Sequence, residues 1–392
     1  MELITKYGIV KIFAKTIEDM ALAQIEEFSN STLGENANIR IMPDCHAGKG
    51  CVIGTTMKIT DKICPNLTGV DISCGVNLVK TDINFEDRLE ELDTIINKYV
   101  PSGMTCHQNK VNVEYLENMK CWDKLDDRAK DLASKSVGTL GGGNHFLEGY
   151  KNGYLSVHSG SRNIGLKVAD YYQTLAVKRK IETVARARKE ILDNIEPQNR
   201  EQKFREMRNN DIFNKDLTYL IGQDMEDYLL DISIIQQYAE TNRETMLKTI
   251  VEKMNGNILS QIATTHNYID TKNMILRKGA VSAQEDELLV IPMNMRDGML
   301  ICKGKGNADW NYSAPHGAGR LYSRTQAKKT FGIEEFQKSM DGIYSTCIND
   351  NTIDEAPFVY KNYQEIMECI EPTVEVLERI LPIYNFKASE KN

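Results

Sequence analysis

Short segments crowded with glycine and polar side chains, spread from Pro43 to Arg324, carry all but one of the chain's six histidines. His46 stands in PDCHAGKG, His145 in GTLGGGNHFLE, His158 in VHSGSR, His266 in THNY and His316 in PHGAGR; only His107 lies elsewhere. A core histidine normally sits among apolar residues, and these do not. Any one of them alone is a surface or hydrogen-bonded imidazole, but together they point to a polar site that the fold must assemble from distant loops.

The rest of the 392-residue chain is ordinary enough to fold around such a site. Hydrophobic residues make up 41% and charged residues 27%, which is ample for a core and excludes disorder as the overall class. No run approaches the ~18 apolar residues of a membrane span. The amino terminus, MELITKYGIVKIFAKT, interleaves Lys6, Lys11 and Lys15 with apolar residues, so it reads as a strand pair rather than a secretory signal. Nine irregularly spaced cysteines with no CxxC argue against a disulfide framework, and a reducing, cytoplasmic setting is expected. The net charge of −8 excludes a coat-like nucleic-acid binder, so any nucleic-acid site must be local.

Residues 38–80 read as short strands joined by Gly/Pro turns. FEDRLEELDTIINKYV (85–100) spaces Phe85, Leu89, Leu92, Ile96 and Tyr99 as one helical face. YLSVHSG (154–160) reads as a buried strand running into a turn, and residues 166 to about 255 as a charged, helical stretch broken near Pro197. Strand signals return in DELLVIPM and MLICKG. The carboxyl end reads as two short helices separated by Pro372 and a final PIYNFKA strand. With no internal repeat or obvious linker, one mixed domain over 1–392 with a helical excursion is the economical organisation.

The chemistry is concentrated in the same loops. Asp71 and Cys74, three residues apart in GVDISCG, are read on a strand ending in a glycine turn, where both can face one point. A carboxylate and a thiolate beside imidazoles suggest a transition-metal site, although a buried cysteine and a turn aspartate also explain the pair alone. Gly141–Gly143 can bring backbone N–H groups close to a phosphate, or simply form a surface loop. Arg162, four residues after His158, carries a planar fork suited to phosphate or carboxylate. His266 follows a helical pattern and could close its C-terminus instead of binding a ligand. His316 is flanked by small residues with Arg320 and Arg324 nearby. As a set these residues call for metal ions acting on phosphate, with one histidine left over as a candidate nucleophile.

In their order PDCHAGKG, GVDISCGV, GTLGGGNHFLE, HSGSR, HNY, HGAGRxxSR and DEAPFVYK, these segments resemble the RtcB family of RNA ligases over nearly the whole chain. The resemblance implies an α+β fold with a layered β core surrounded by helices. It implies joining of RNA 3′-phosphate or 2′,3′-cyclic phosphate ends to 5′-hydroxyl ends with GTP and two Mn²⁺ ions. Carried over by position, Asp71, Cys74, His145, His158 and His266 would be the metal ligands, with Cys74 bridging. Asp71 and His145 would complete one ion, His158 and His266 the other. His316 would take GMP from GTP as a covalent intermediate, Asp44 would orient it, and an RNA-ppG species would follow. Asn144, Arg162, Asn267 and Arg320 would contact phosphates. Phe146, Leu147, Glu148, Asn294, Gly317, Ala318, Gly319, Tyr360 and Lys387 would line the nucleotide. An archease-like activator is a candidate partner, and a membrane is not.

Departures fall in the nucleotide region. IPMNMRDG (291–298) replaces a usually small, serine-containing stretch, Asn294 stands for an expected serine, and Pro315 precedes the nucleophile where serine is common. They point to a divergent branch concerned with RNA repair. They also keep open a two-metal phosphoesterase of RNA ends, or a non-catalytic RNA-end binder. Ten Lys/Arg against six acids between 178 and 208 suggest either a solvated helix laced with ion pairs or an RNA-backbone contact.

Overall fold

The computed structural model describes residues 1–210 and 213–388, without the side chains of 205, 206 and 208–210. Arg205 and Arg208 of the basic stretch therefore lie outside the described side chains. The first strands form as the alternation suggests: Glu2–Thr5 and Gly8–Ile12 pair antiparallel at one edge of a six-stranded sheet. That sheet continues through Arg40–His46, Ile53–Lys58, Ile275–Lys278 and Asn267–Asp270. A second sheet runs in the order Ile258–Thr265, Gly75–Thr81, Tyr154–Ser159, Phe146–Tyr150, Pro382–Lys387. The third contains Leu288–Asn294, Gly298–Gly304 and Val374–Ile380.

The period-2 alternation of the five-stranded sheet decides what faces the site. Leu147, Leu155, Val157 and Phe386 turn to one face, against Leu92 and Ile96 of the helix Leu89–Tyr99 and Met246, Leu247 and Ile250 of the helix Gly222–Lys253. On the other face Val76, Leu78, Phe146 and Tyr150 pack against Val290, Met299, Ile301 and Ile380 of the three-stranded sheet. Glu148 and His158 alternate with residues of the first set, so they share the second face. The result is an α+β fold with layered sheets and surrounding helices, and no described helix is long and apolar enough to cross a membrane.

Four local expectations change. The segment after Pro372 is a strand, Val374–Ile380, not a helix: its Val374, Val376 and Ile380 are β-branched and pair antiparallel with Gly298–Gly304. Asp71 and Cys74 occupy a turn before the strand Gly75–Thr81 rather than the end of a strand. His266 joins two strands, since Ile258–Thr265 separates it from the preceding helix. Helices Asp19–Asn30, Arg324–Thr330 and Ile333–Ser339 were not expected.

The charged helical region is also less uniform than its composition suggests. Helix Arg162–Asp193 is exposed over much of its second half, and Arg179 pairs with Asp224 and Glu182. Helix Gly222–Lys253, by contrast, is a central strut with Tyr228, Ile232, Ile235, Tyr238 and Met246 fully buried. Its Asp231 carboxylate accepts the backbone N–H groups of Lys120 (2.6 Å) and Cys121 (2.9 Å) and the Tyr172 hydroxyl (2.7 Å). Asp231→Ala would leave the buried Cys121 N–H and Tyr172 hydroxyl, and the partly buried Lys120 N–H, without their acceptor, and should lower the unfolding free energy by about 3 kcal/mol in urea titration. A loss below about 1 kcal/mol would show that water replaces the carboxylate.

Candidate active site

The turn Asp71–Cys74 closes with Cys74 N–H donating to Asp71 O at 3.2 Å, with Ser73 in the left-handed region at φ 58°. That curl puts the carboxylate and the thiol on one side. Asp71 Oδ1 accepts the Ser161 N–H at 3.1 Å, and a Cβ on Gly160 would sit only 2.2–2.6 Å from the Asp71 carboxylate. Glycine is therefore required there for Asp71 to reach the site.

Around this turn the structure gathers His145, His158 and His266. The Nδ1 atoms of His145 and His158 donate to the carbonyls of Leu140 (2.8 Å) and Asn144 (3.1 Å), which fixes their Nε2 lone pairs inward. His145 Nε2 lies 3.0 Å from Asp71 Oδ2 and 3.4 Å from Cys74 Sγ. His158 Nε2 lies 3.1 Å from Cys74 Sγ and 3.2 Å from His266 Nε2. The donor atoms form two triads, Asp71–Cys74–His145 and Cys74–His158–His266, each within 4.8 Å and sharing the one sulfur.

Burial holds His158 and His266 well below the ordinary imidazole range, and pushes the Cys74 thiol well above its own. Burial also opposes ionisation of Asp71, but the contact with His145 and the positive charge of Arg162 win and hold it near 2. Inward-facing lone pairs at hydrogen-bond distance, with a carboxylate and a soft sulfur, fit divalent transition-metal ions.

His316 stands next to this cluster, its ring 4.8 Å from that of His266. Asp44, fully buried on the strand Arg40–His46, accepts both the His316 Nδ1–H (2.6 Å) and the His316 backbone N–H (3.2 Å) through Oδ2. Nδ1 is thereby committed, and Nε2 remains as the reactive nitrogen. The Asp44 carbonyl also accepts the Nδ1–H of His46 at 3.0 Å, so one residue orients two imidazoles.

Both histidines line a cavity of about 240 Å³. Of the sequence candidates, Asn144, Phe146, Glu148, Asn294, Gly317, Ala318, Gly319, Arg320, Tyr360 and Lys387 also line it. Leu147 does not, because strand alternation turns it into the core. Asn267 uses its Oδ1 to accept the Gly279 N–H at 2.9 Å, behind His316. Arg162 lies beside His145, against Gly141, with its Nε buried and unpartnered among the described residues.

Polar contacts within the cavity refine several roles. Glu148 accepts Tyr150 OH (2.5 Å) and Asn385 Nδ2 (2.6 Å); burial outweighs both, and the Lys387 charge, and raises its carboxyl to about 7. Asn294 is folded back in its own turn, accepting the N–H groups of Arg296 and Asp297 and donating to Asp297 Oδ2. Glu355, unassigned from sequence, is the hub of the far wall. Its carboxylate meets Arg320 (3.0 Å), Lys387 (3.1 Å), Arg324 (3.3 Å) and the Tyr360 hydroxyl (2.6 Å). Burial alone would raise it, but the charges of Lys387, Arg320 and Arg324 hold it near 2. Arg320 also donates to Tyr322 O, Asp354 O and Tyr360 OH, so most of its fork is spent on the wall. The only sequence signal for Glu355 was its place beside Tyr360 in DEAPFVYK.

A family model described as tRNA-splicing ligase RtcB matches residues 24–388. Among curated proteins, the RNA-splicing ligase RtcB of Escherichia coli K12 is 30% identical over 383 residues, covering 87% of each chain. The RtcB2 ligase of a second E. coli strain is 24% identical, over 95% of this chain and 93% of its own. The tRNA-splicing ligase RtcB of Aeropyrum pernix is 26% identical, over 84% and 83%.

Gly160→Ala should push Asp71 out of the Asp71–Cys74–His145 triad and lower the number of divalent transition-metal ions the protein retains, counted by elemental mass spectrometry after equilibration with the metal. Unchanged stoichiometry would contradict the placement of Asp71.

Proposed function

The chain belongs to the RtcB family and is an RNA ligase, and from that premise we propose that it seals RNA 3′-phosphate or 2′,3′-cyclic phosphate ends to 5′-hydroxyl ends through guanylylation of His316 by GTP. The observation that carries this reading is the Asp44–His316 pair: a buried carboxylate fixes Nδ1–H and leaves Nε2 facing a cavity beside five metal-donor side chains. A simple metallohydrolase needs no such pair.

His316 Nε2 attacks the α-phosphorus of GTP, a P–N bond forms, and pyrophosphate leaves with the electrons of the broken P–O bond. Asp44 keeps Nδ1 protonated and offsets the positive charge that grows on the ring during attack. An oxygen of the RNA 3′-phosphate then displaces His316 and takes the guanylyl group. The 5′-hydroxyl attacks the activated RNA phosphorus, and GMP departs. A cyclic phosphate end is first opened by water.

Asp71, Cys74 and His145 would hold one Mn²⁺ ion, and Cys74, His158 and His266 the second. When bound, these ions neutralise charge on the phosphate oxygens. The half-exposed Arg324, which also lines the cavity, is better placed than Arg320 to meet phosphate, because Arg320 is largely committed to the cavity wall. Glu148 suits guanine, whose N1–H and 2-amino group both donate from one edge.

Incubation with [α-³²P]GTP and Mn²⁺ should put acid-labile label on the wild-type protein and none on His316→Ala, while Asp44→Asn should label at least about 10-fold more slowly. Label that persists without His316 would refute the nucleophile. No label on the wild type would favour a phosphoesterase of RNA ends.

The Glu148 carboxyl also predicts a pH dependence. The carboxylate that guanine needs is present above pH 7 and is lost as pH falls through about 7. The apparent KM for GTP should therefore rise about tenfold per pH unit below that point, in labelling assays from pH 5.5 to 8.5. A flat profile would remove Glu148 from guanine recognition.

A further inference from the structure

Besides Asp231, helix Gly222–Lys253 carries two more polar side chains on its buried face, Asn242 and Arg243, where neighbouring turns present Tyr238, Ala239, Met246 and Leu247. A guanidinium with 1% exposure is a costly core residue, and a purely structural position would be served more cheaply by an apolar side chain. What Arg243 bonds explains its presence. Its Nη1 donates to the carbonyl of Ser73 at 2.7 Å and to that of Ser159 at 3.0 Å, while Nε is anchored by Asn77 Oδ1 at 2.8 Å. Ser73 immediately precedes Cys74, and Ser159 immediately follows His158. The flat guanidinium lies against Gly75, where a Cβ would sit 3.3 Å from Cζ, and the same glycine is opposite Thr265, next to His266.

Asn242 extends the arrangement. Its Oδ1 accepts the N–H groups of Gly138 (2.8 Å) and Thr139 (3.0 Å), at the base of the glycine loop that leads to His145. Its Nδ2 donates to Ser159 Oγ and to Gly160 O, each at 3.2 Å. Two successive helical residues thus tie together the backbone beside Cys74, His158 and Asp71's neighbour Gly160, and the loop before His145.

We propose that Arg243 is a positioning residue for the metal centre: its Nη1 bridges the Ser73 and Ser159 carbonyls while Nε is held by Asn77, and so it sets the spacing between the Cys74 sulfur and the His158 imidazole. This rests on the reading of the two triads as metal sites. A lysine nitrogen could reach the two carbonyls, but it has no second donor fixed in the same plane to keep the Asn77 anchor, so the bridge would lose its orientation.

The test is a Co²⁺ titration of the full chain, followed by the thiolate-to-cobalt charge-transfer absorption and carried out well below each variant's melting temperature. The wild type should show the band and Cys74→Ala should lose it. Arg243→Lys keeps the charge but cannot hold the carbonyl bridge and the Asn77 anchor together, and should bind Co²⁺ about 10–100-fold more weakly with a diminished band at saturation. Asn77→Ala, which removes only the Nε anchor, should shift affinity the same way by less. A generally weakened fold would lower melting temperature without altering the band of saturated protein. Wild-type affinity and band in both Arg243→Lys and Asn77→Ala would overturn the proposal; if Arg243→Lys does not fold, Asn77→Ala decides alone. A wild type without the band would instead overturn the metal-site reading on which the proposal rests.

Discussion

The sulfur of Cys74 is the point to which the rest of the site is fitted. Two imidazole nitrogens approach it at 3.1 and 3.4 Å, and each belongs to a different triad. Burying a thiol, three imidazoles and a carboxylate together is unfavourable unless something satisfies their lone pairs. The surrounding backbone is arranged to hold those lone pairs together. Carbonyls of Leu140 and Asn144 take the outer nitrogens of His145 and His158, Gly160 leaves room for Asp71, and Ser73 accepts a left-handed backbone so that the turn can close.

His316 is held beside that centre by a second, separate clamp. Asp44 comes from the six-stranded sheet, whereas His145 and His158 come from the loop and strand ends of the five-stranded sheet. His266 is the physical link, since its ring contacts those of both His158 and His316. His316 is therefore coupled by direct packing to the geometry of one triad. The opposite wall is organised by a single buried carboxylate, Glu355, around which Arg320, Arg324, Lys387 and Tyr360 are grouped.

The donors themselves were legible because each lies in a short motif whose glycines and polar neighbours mark it as something other than core. Local periodicity served where the pattern was long, as in Leu89–Tyr99, and failed where it was short. Seven residues after Pro372 contain too few repeats to separate a helix from a strand, and pairing with Gly298–Gly304 decides the matter. Arg243 was invisible for a different reason. In sequence it is one charged residue within a charged helical region, and only tertiary packing shows that it faces the carbonyls beside the metal donors. Glu355 lay within a quoted motif, but its role depends on cations that arrive from 31 or more residues away in the chain, such as Arg324 and Lys387. Asn294 shows the reverse case: its place in the resemblance, where a serine is expected, implied a nucleotide contact, and the turn it closes uses its side chain locally.

The net charge of −8 is compatible with an RNA substrate because positive charge is concentrated where phosphates would sit, while Asp354 and Glu355 keep those cations aligned. The account depends most on the shared sulfur. Anomalous difference maps from crystals equilibrated with Mn²⁺ test it directly. Two peaks, one among Asp71, Cys74 and His145 and the other among Cys74, His158 and His266, with Cys74 Sγ within coordinating distance of both, are the expected result. A single peak, or a pair that does not share that sulfur, would contradict it.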